Sequence, residues 1–159
     1  MISRDTRVPK PAAFLGFFGA VPFVAGAVLI WLVPSSQATI PLLGQSFYAA
    51  VILSFMGGVR WGLAMVGELP SRFGPLALSV TPALMAWAAL LVLMLLPGAG
   101  APVALVLMIL GFAGLLWSDL RASRAGVAPA WYPNLRIPLT LIVVGSLLAS
   151  LARMVLPLL

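Results

Sequence analysis

The sequence predicts an all-α integral membrane protein, a five-helix transmembrane bundle with its N-terminus in the cytoplasm and its C-terminus outside. Three observations predict this class: the composition, the spacing of the apolar runs, and the placement of the basic residues. Of the 159 residues, 63% are hydrophobic and 8% are charged, whereas soluble domains are about 45–50% apolar and about 25% charged. A domain of this size has too little interior to bury that surplus, so its apolar surface must face lipid.

Five apolar runs approach or exceed the length of about 20 residues that a helix needs to cross the hydrocarbon core. A basic cytoplasmic tail, residues 1–11, is expected to precede a single five-span domain that occupies residues 12–159. The expected spans are residues 12–33, 44–67, 75–96, 102–120 and 137–157. The first run is longer than the 7–15 apolar residues of a signal peptide, so we expect it to remain as a span.

Basic residues collect on one side of these spans. Seven of the nine Lys and Arg residues fall on the side of the N-terminal tail, namely Arg4, Arg7, Lys10, Arg72, Arg121, Arg124 and Arg136. The opposite side has Arg153 alone, near the C-terminus. Because positively charged loops are retained in the cytoplasm, this asymmetry predicts the orientation given above.

The residue types that are missing exclude much chemistry. The chain has no His and no Cys, and its acidic residues are Asp5, Glu68 and Asp119. Imidazole bases, thiolate metal sites and iron–sulfur clusters are therefore excluded, and we expect no catalytic residues, no metal and no cofactor. The formal charge of +6 is explained by topology, so we expect no nucleic-acid partner.

Arg60 is the charged residue that lies well inside an expected span. A guanidinium stays charged, so a position facing the bundle requires an acceptor, for which Asp119 is the best candidate and Glu68 a distant one. Alternatively, the long side chain reaches the near interface, or it holds an anionic ligand such as a lipid headgroup.

Small residues recur along the second and fifth spans and predict close helix packing. Arg153 is expected to extend outward to the interface, and Trp87, in the middle of the third span, is expected to pack between helices. Pro22 and Pro82 are expected to kink the first and third spans. The predicted packing residues are Ser54, Gly57, Gly58, Gly62, Gly145, Ser146 and Ala149.

Aromatic residues near the start of the fifth span are typical of an interfacial anchor. A headgroup site at the same interface is the alternative. Together with the ion-pair reading of Arg60, this gives the candidate site residues Arg60, Asp119, Trp61, Trp131, Tyr132 and Arg136.

Three segments resemble an uncharacterised family of multi-helix membrane proteins, a domain of unknown function related to mitochondrial transmembrane protein 69. These segments are LGFFGAVPFVAGA, YAAVILSFMGGVRWG and WYPNLRIPLTLIV. The resemblance implies a bacterial plasma membrane, or the mitochondrial inner membrane in a eukaryote, and it implies no reaction. The positions that match the family's motifs are Gly57, Gly58, Arg60, Trp61, Gly62, Trp131, Tyr132, Arg136 and Thr140.

Short loops, few reactive side chains and several small-residue faces favour a non-catalytic protein that serves a larger membrane complex as an accessory or assembly component. Self-association is a further possibility for the same faces. The alternatives are a small transporter or channel, or a lipid-headgroup binder, and both would use the intramembrane Arg60.

Overall fold

The computed structural model describes residues 6–66 and 73–156, and within these ranges every element of regular secondary structure is a helix. Five long helices follow one another: α1 (Lys10–Leu32), α2 (Thr39–Val66), α3 (Phe73–Leu95), α4 (Gly100–Arg124) and α5 (Tyr132–Val155). Each is long and apolar enough to cross a membrane, since even the 23 residues of α1 extend about 34 Å at 1.5 Å per residue. The predicted class of an all-α bundle with five helices able to cross a membrane is confirmed.

Three helices extend four or five residues beyond one end of the apolar runs that predicted them, whereas α1 and α3 begin only two residues early. α2 begins at Thr39, α4 continues to Arg124 and α5 begins at Tyr132. α4 and α5 continue into polar sequence, because a helix end at the membrane interface is compatible with Ser, Asn and Arg side chains. The added start of α2 contains Pro41 in its first turn, where a helix tolerates proline. The apolar runs therefore gave the number of helices correctly but made these three too short.

The connections between helices are short and use glycine where the backbone requires it. Gly126 has φ +71° and ends α4 in a Schellman motif, in which Val127 N donates to Ala122 O and Gly126 N donates to Ser123 O. Gly98, with φ +77°, lies in the turn between α3 and α4. Such tight turns make neighbouring helices antiparallel.

The five helices close into a ring, because α1 packs against α5 as well as α2, and α2 also contacts α4 across the middle. One end of the bundle, which we call the basic end, carries Arg60, Arg121, Arg124 and Arg136. Trp31 and Arg153 lie at the opposite end, where the Trp31 indole N–H donates to Ala149 O on α5.

The core lies at the centre of the ring of helices. Phe23 packs edge-on against Tyr48 and Phe112, with ring centroids 5.2 and 5.7 Å away. Leu53, Leu105, Met108 and Leu147 are fully buried around them. The outer surface is apolar as well, with side chains such as Phe14, Leu84 and Leu141 exposed, as expected for a surface that faces lipid.

Trp87 belongs to this outer surface. Its side chain is 62% exposed, so the expectation that it packs between helices is wrong. Ala86 and Ala89 face the core instead, and the rotation of 100° per residue turns Trp87 away from it.

Candidate functional site: a buried charged cluster and a lateral cavity

Asp119 lies inside the bundle at its basic end, in the last two turns of α4, and is 1% exposed. Its Oδ2 accepts a hydrogen bond of 2.8 Å from Nε of Arg136, which is itself 7% exposed. A bond this short between a guanidinium and a carboxylate is charge-assisted and strong. The pair joins α4 to α5.

Arg60 reaches the same carboxylate from α2. Its Nη1 is 3.9 Å from Asp119 Oδ1 and donates to the backbone carbonyl of Ser118 at 3.3 Å. The longer distance makes this contact with Asp119 electrostatic rather than a hydrogen bond. Arg60, Asp119 and Arg136, which we call the charged cluster, thus combine two cations with one anion.

The chain places these three residues at one level through its up-and-down topology. Residues 125–131 connect α4 to α5, so Asp119 near the end of α4 lies opposite Arg136 near the start of α5. Arg60, near the end of α2, is brought alongside by the packing of α2 against α4. Glu68, Arg72, Arg4 and Asp5 lie outside the described residues.

The three aromatic candidate residues lie at different distances from the charged cluster. Tyr132 lies close to Asp119, and its buried hydroxyl makes no hydrogen bond of good geometry within the described part of the chain. Trp131 packs edge-on against Tyr132 with ring centroids 6.0 Å apart. Trp61 is 42% exposed and faces outward from α2. Tyr132 therefore belongs to the charged cluster's surroundings, whereas Trp61 lies on the lipid-facing surface.

A cavity of about 140 Å³, which we call the lateral cavity, adjoins the charged cluster. It lies between α1, α2 and α5, and its walls are mostly apolar, including Gly19, Phe23 and Phe55. Two polar residues, Arg136 and Thr140, also line it. Nη2 of Arg136 and Oγ1 of Thr140 are buried without a hydrogen-bond partner among the described residues.

A second set of buried polar contacts, which was not predicted from the sequence, links α1, α2 and α5. Gln45 on α2 donates through Nε2 to Phe23 O on α1 at 2.9 Å, and Ser150 on α5 donates to Gln45 Oε1 at 2.7 Å. Gly26 makes room for this contact, because a Cβ there would lie 2.8 Å from Cβ of Gln45. A lone Gln in an apolar run was the available signal, since its amide requires partners in lipid.

Arg153 is also held within the protein. It is 9% exposed, and its Nη2 donates to the hydroxyl of Ser35 at 2.8 Å, while the guanidinium carbon lies 5.9 Å from the Trp31 ring centroid. The side chain does reach the connection between α1 and α2 at this end of the bundle, but there it is held by Ser35, a partner that the sequence of α5 alone does not show.

The predicted packing residues fall on different faces. Gly57 is buried against α3, where a Cβ would lie 2.6 Å from Ser79 O. Ser54 and Gly58 are exposed and Gly62 is half-buried, and a Cβ on either glycine would meet nothing within 4 Å. α2 thus has one buried face and an outward stripe of small residues, which is flanked by the exposed side chains of Val51, Phe55, Trp61 and Met65.

The predicted packing residues of α5 also lie on different faces of the helix. Ser146 is buried, and its hydroxyl donates to Ile142 O of its own helix. Ala149 offers its carbonyl to Trp31. Gly145 is exposed with open space beyond its Cα. Small residues therefore mark both internal contacts and outward faces, and spacing alone does not separate the two.

Comparisons with known proteins agree with the membrane fold. A family model described as "Protein of unknown function (DUF3429)" matches residues 8–152. The chain is 38% identical over 145 residues to transmembrane protein 69 of Xenopus tropicalis, covering 90% of this chain and 54% of the relative. It is 33% identical over 147 residues to transmembrane protein 69 of Mus musculus, covering 90% and 56%. The chain thus spans about half the length of these curated relatives. No solved structure matches it.

Proposed function

Because this chain belongs to the DUF3429 family of proteins of unknown function and its curated relatives are transmembrane proteins, we propose that it is a non-catalytic membrane component that packs against a larger membrane complex. In this role it is an accessory or assembly subunit. The outward face of α2, formed by Ser54, Gly58 and Gly62, carries the proposal.

The outward face of α2 suits a transmembrane helix of another protein. Both glycines have open space where a side chain would begin, so a partner helix can approach α2 along the groove that they form with Ser54 between the exposed Val51, Phe55, Trp61 and Met65 side chains. Close approach is what stabilises helix pairs in lipid, where the hydrophobic effect gives no advantage to association.

The polar groups of the interior support the same role. Arg60 contacts Asp119 and Ser118, Arg153 contacts Ser35, and Gln45 contacts Ser150. These contacts tie helices together, which is what a scaffold for a partner requires. A transporter would instead require a polar path that reaches Arg60.

We also propose the orientation and the membrane. The basic end faces the cytoplasm or matrix, supported by the Lys and Arg asymmetry of the sequence. The membrane is the bacterial plasma membrane, or the mitochondrial inner membrane in a eukaryote, supported by the resemblance to the transmembrane protein 69 family.

Photo-crosslinking in native membranes tests the proposal. A photoreactive amino acid replaces Gly58 and, as a matched control, Gly145, which is also exposed with open space. We expect a defined adduct with a different membrane protein from position 58 and not from position 145. Loss of that partner in Gly58→Leu, with retention in Gly145→Leu, completes the test.

Two results would overturn the accessory role. An adduct with a second copy of this chain alone would indicate self-association. Ion or solute flux in liposomes that disappears in Arg60→Ala would indicate a transporter or channel instead.

A further inference from the structure

We propose that the lateral cavity binds an anionic lipid, with a segment of its acyl chain inside the cavity and an anionic oxygen at Arg136 and Thr140. The lateral cavity joins two chemically different parts. Its walls include Phe23, Phe55 and Val143, whereas Arg136 and Thr140 form its polar part.

The polar part has unused hydrogen-bond donors. Arg136 is 7% exposed and Thr140 is 4% exposed, and Arg136 Nη2 and Thr140 Oγ1 have no partner among the described residues. Buried polar atoms are normally satisfied, because leaving one without a partner costs roughly 1–3 kcal/mol. An oxygen atom that accepts from both would satisfy them together.

The charge of the site favours an anion. The charged cluster has two guanidinium groups, which remain ionised in proteins, and one carboxylate. Even with Asp119 ionised, the charged cluster, of which Arg136 lines the cavity, keeps a net charge of +1. A neutral carbonyl compound such as a quinone would accept hydrogen bonds there but would leave that charge unbalanced.

The shape of the site favours a chain that enters sideways from lipid. The rim includes Leu15 and Phe55, which are 67% and 63% exposed, so the lateral cavity meets the lipid-facing surface between α1 and α2. Its volume of about 140 Å³ is close to that of an apolar cavity that accommodates benzene, about 150 Å³. It therefore holds several carbons of one chain rather than a whole lipid.

The shared ligand chemistry, an anionic oxygen on an acyl chain, has two sources: a phospholipid phosphate and a fatty-acid carboxylate. Native mass spectrometry of the purified, delipidated protein in mild detergent compares three probes, namely phosphatidylglycerol, palmitate and phosphatidylcholine. We expect at least one anionic probe to bind about tenfold more tightly than phosphatidylcholine. The anionic probe that binds better identifies the source.

Two variants locate the binding. Gly19→Leu adds a side chain to the wall of the cavity, where a Cβ would meet only Tyr48 Oη, at 3.8 Å; we expect at least tenfold weaker binding of the anionic probe. Thr140→Val removes one donor with little change of shape, and we expect binding about fivefold weaker. Gly145→Leu makes the same substitution on the outer surface and is expected to bind as the unaltered protein does.

The melting temperature of each variant in detergent is measured alongside, and a binding loss counts only where folding is retained. If Gly19→Leu does not fold, the binding measured for Thr140→Val tests the proposal on its own. Equal binding of phosphatidylglycerol, palmitate and phosphatidylcholine overturns the proposal. So does unchanged binding in the folded cavity variants, or displacement of the anionic probe by an equimolar quinone.

Discussion

Arg136 Nε donates a 2.8 Å hydrogen bond to Asp119 Oδ2, and Arg60 Nη1 lies 3.9 Å from the other oxygen of the same carboxylate. One acid on α4 therefore holds arginines from α5 and α2. Because each buried charge depends on the others for compensation, the stability of the basic end should respond to the removal of any of the three, and to each by a different amount.

Asp119→Asn should destabilise the bundle most, by roughly 4–5 kcal/mol, because two guanidinium groups then lose their counter-charge while the shape of the side chain is kept. Reversible unfolding in mixed micelles measures the change. The double variant Asp119→Asn with Arg136→Gln removes one of the stranded charges, so we expect its cost to be smaller than the sum of the two single costs. Additive costs would show that the pair is not coupled.

Arg136→Gln should cost more than Arg60→Gln. The Arg136 side chain is 8% exposed and makes the short bond, whereas that of Arg60 is 14% exposed and stands further from the acid. We expect roughly 3 kcal/mol for Arg136→Gln and about 1 kcal/mol for Arg60→Gln. The same unfolding assay compares them, and the reverse order would contradict this description of the charged cluster.

Two adjacent glycines of α2 should respond oppositely to alanine. Gly57→Ala places a Cβ 2.6 Å from the backbone oxygen of Ser79, so α2 and α3 must separate, at a cost of about 1–3 kcal/mol. Gly58→Ala meets open space and should be neutral or stabilising by up to about 1 kcal/mol, because alanine is the better helix former. Melting temperatures of the two purified variants provide the comparison.

Two serines one turn apart on α5 should also differ. Ser150→Ala removes the donor to Gln45 Oε1 and should destabilise by about 0.6–1 kcal/mol, as hydrogen bonds between membrane helices typically do. Ser146→Ala removes a hydroxyl that bonds to Ile142 O of its own helix, and we expect less than half that effect. Equal destabilisation by the two substitutions would show that the hydrogen bond to Gln45 does not stabilise the bundle.

The proposed orientation is tested by reporters on the two chain ends. With five spans, a phosphatase fused to the C-terminus should be active on the outer side, whereas one fused to the N-terminus should be inactive. We expect replacement of Arg121 and Arg124 by Gln to weaken this preference, since retention of loops in the cytoplasm depends on Lys and Arg. Activity of both fusions on one side would require a different number of crossings.

The number of helices could be predicted because lipid imposes a length of about 20 apolar residues on each crossing. The faces of the helices were harder to predict. Ser54, Gly58 and Gly62 follow a regular spacing, yet Gly57 is the glycine at a close backbone contact. The surroundings of Trp87 and Arg153 were not predicted for the same reason: the rotation and the contacts of a helix depend on neighbours that are distant in sequence.

The charged cluster was partly predictable. Arg60 requires an acceptor inside lipid, and Asp119 was the best acid within reach. Arg136, the closer partner, was placed at the interface, because the expected spans ended at residue 120 and began again at residue 137. The missing signal was the extent of α4 and α5, which continue past both charged residues and set them at one depth.

The short connection at residues 125–131 has a consequence for how the chain enters the bilayer. It makes α4 and α5 a helical hairpin that contains both members of the Asp119–Arg136 ion pair. This pair therefore does not depend on the docking of α1 or α2. We expect the two helices to partition into lipid together, with their opposite charges already compensated, and a chain halted after α4 to insert less completely in a glycosylation-mapping assay. Helix α5 would then promote the insertion of α4.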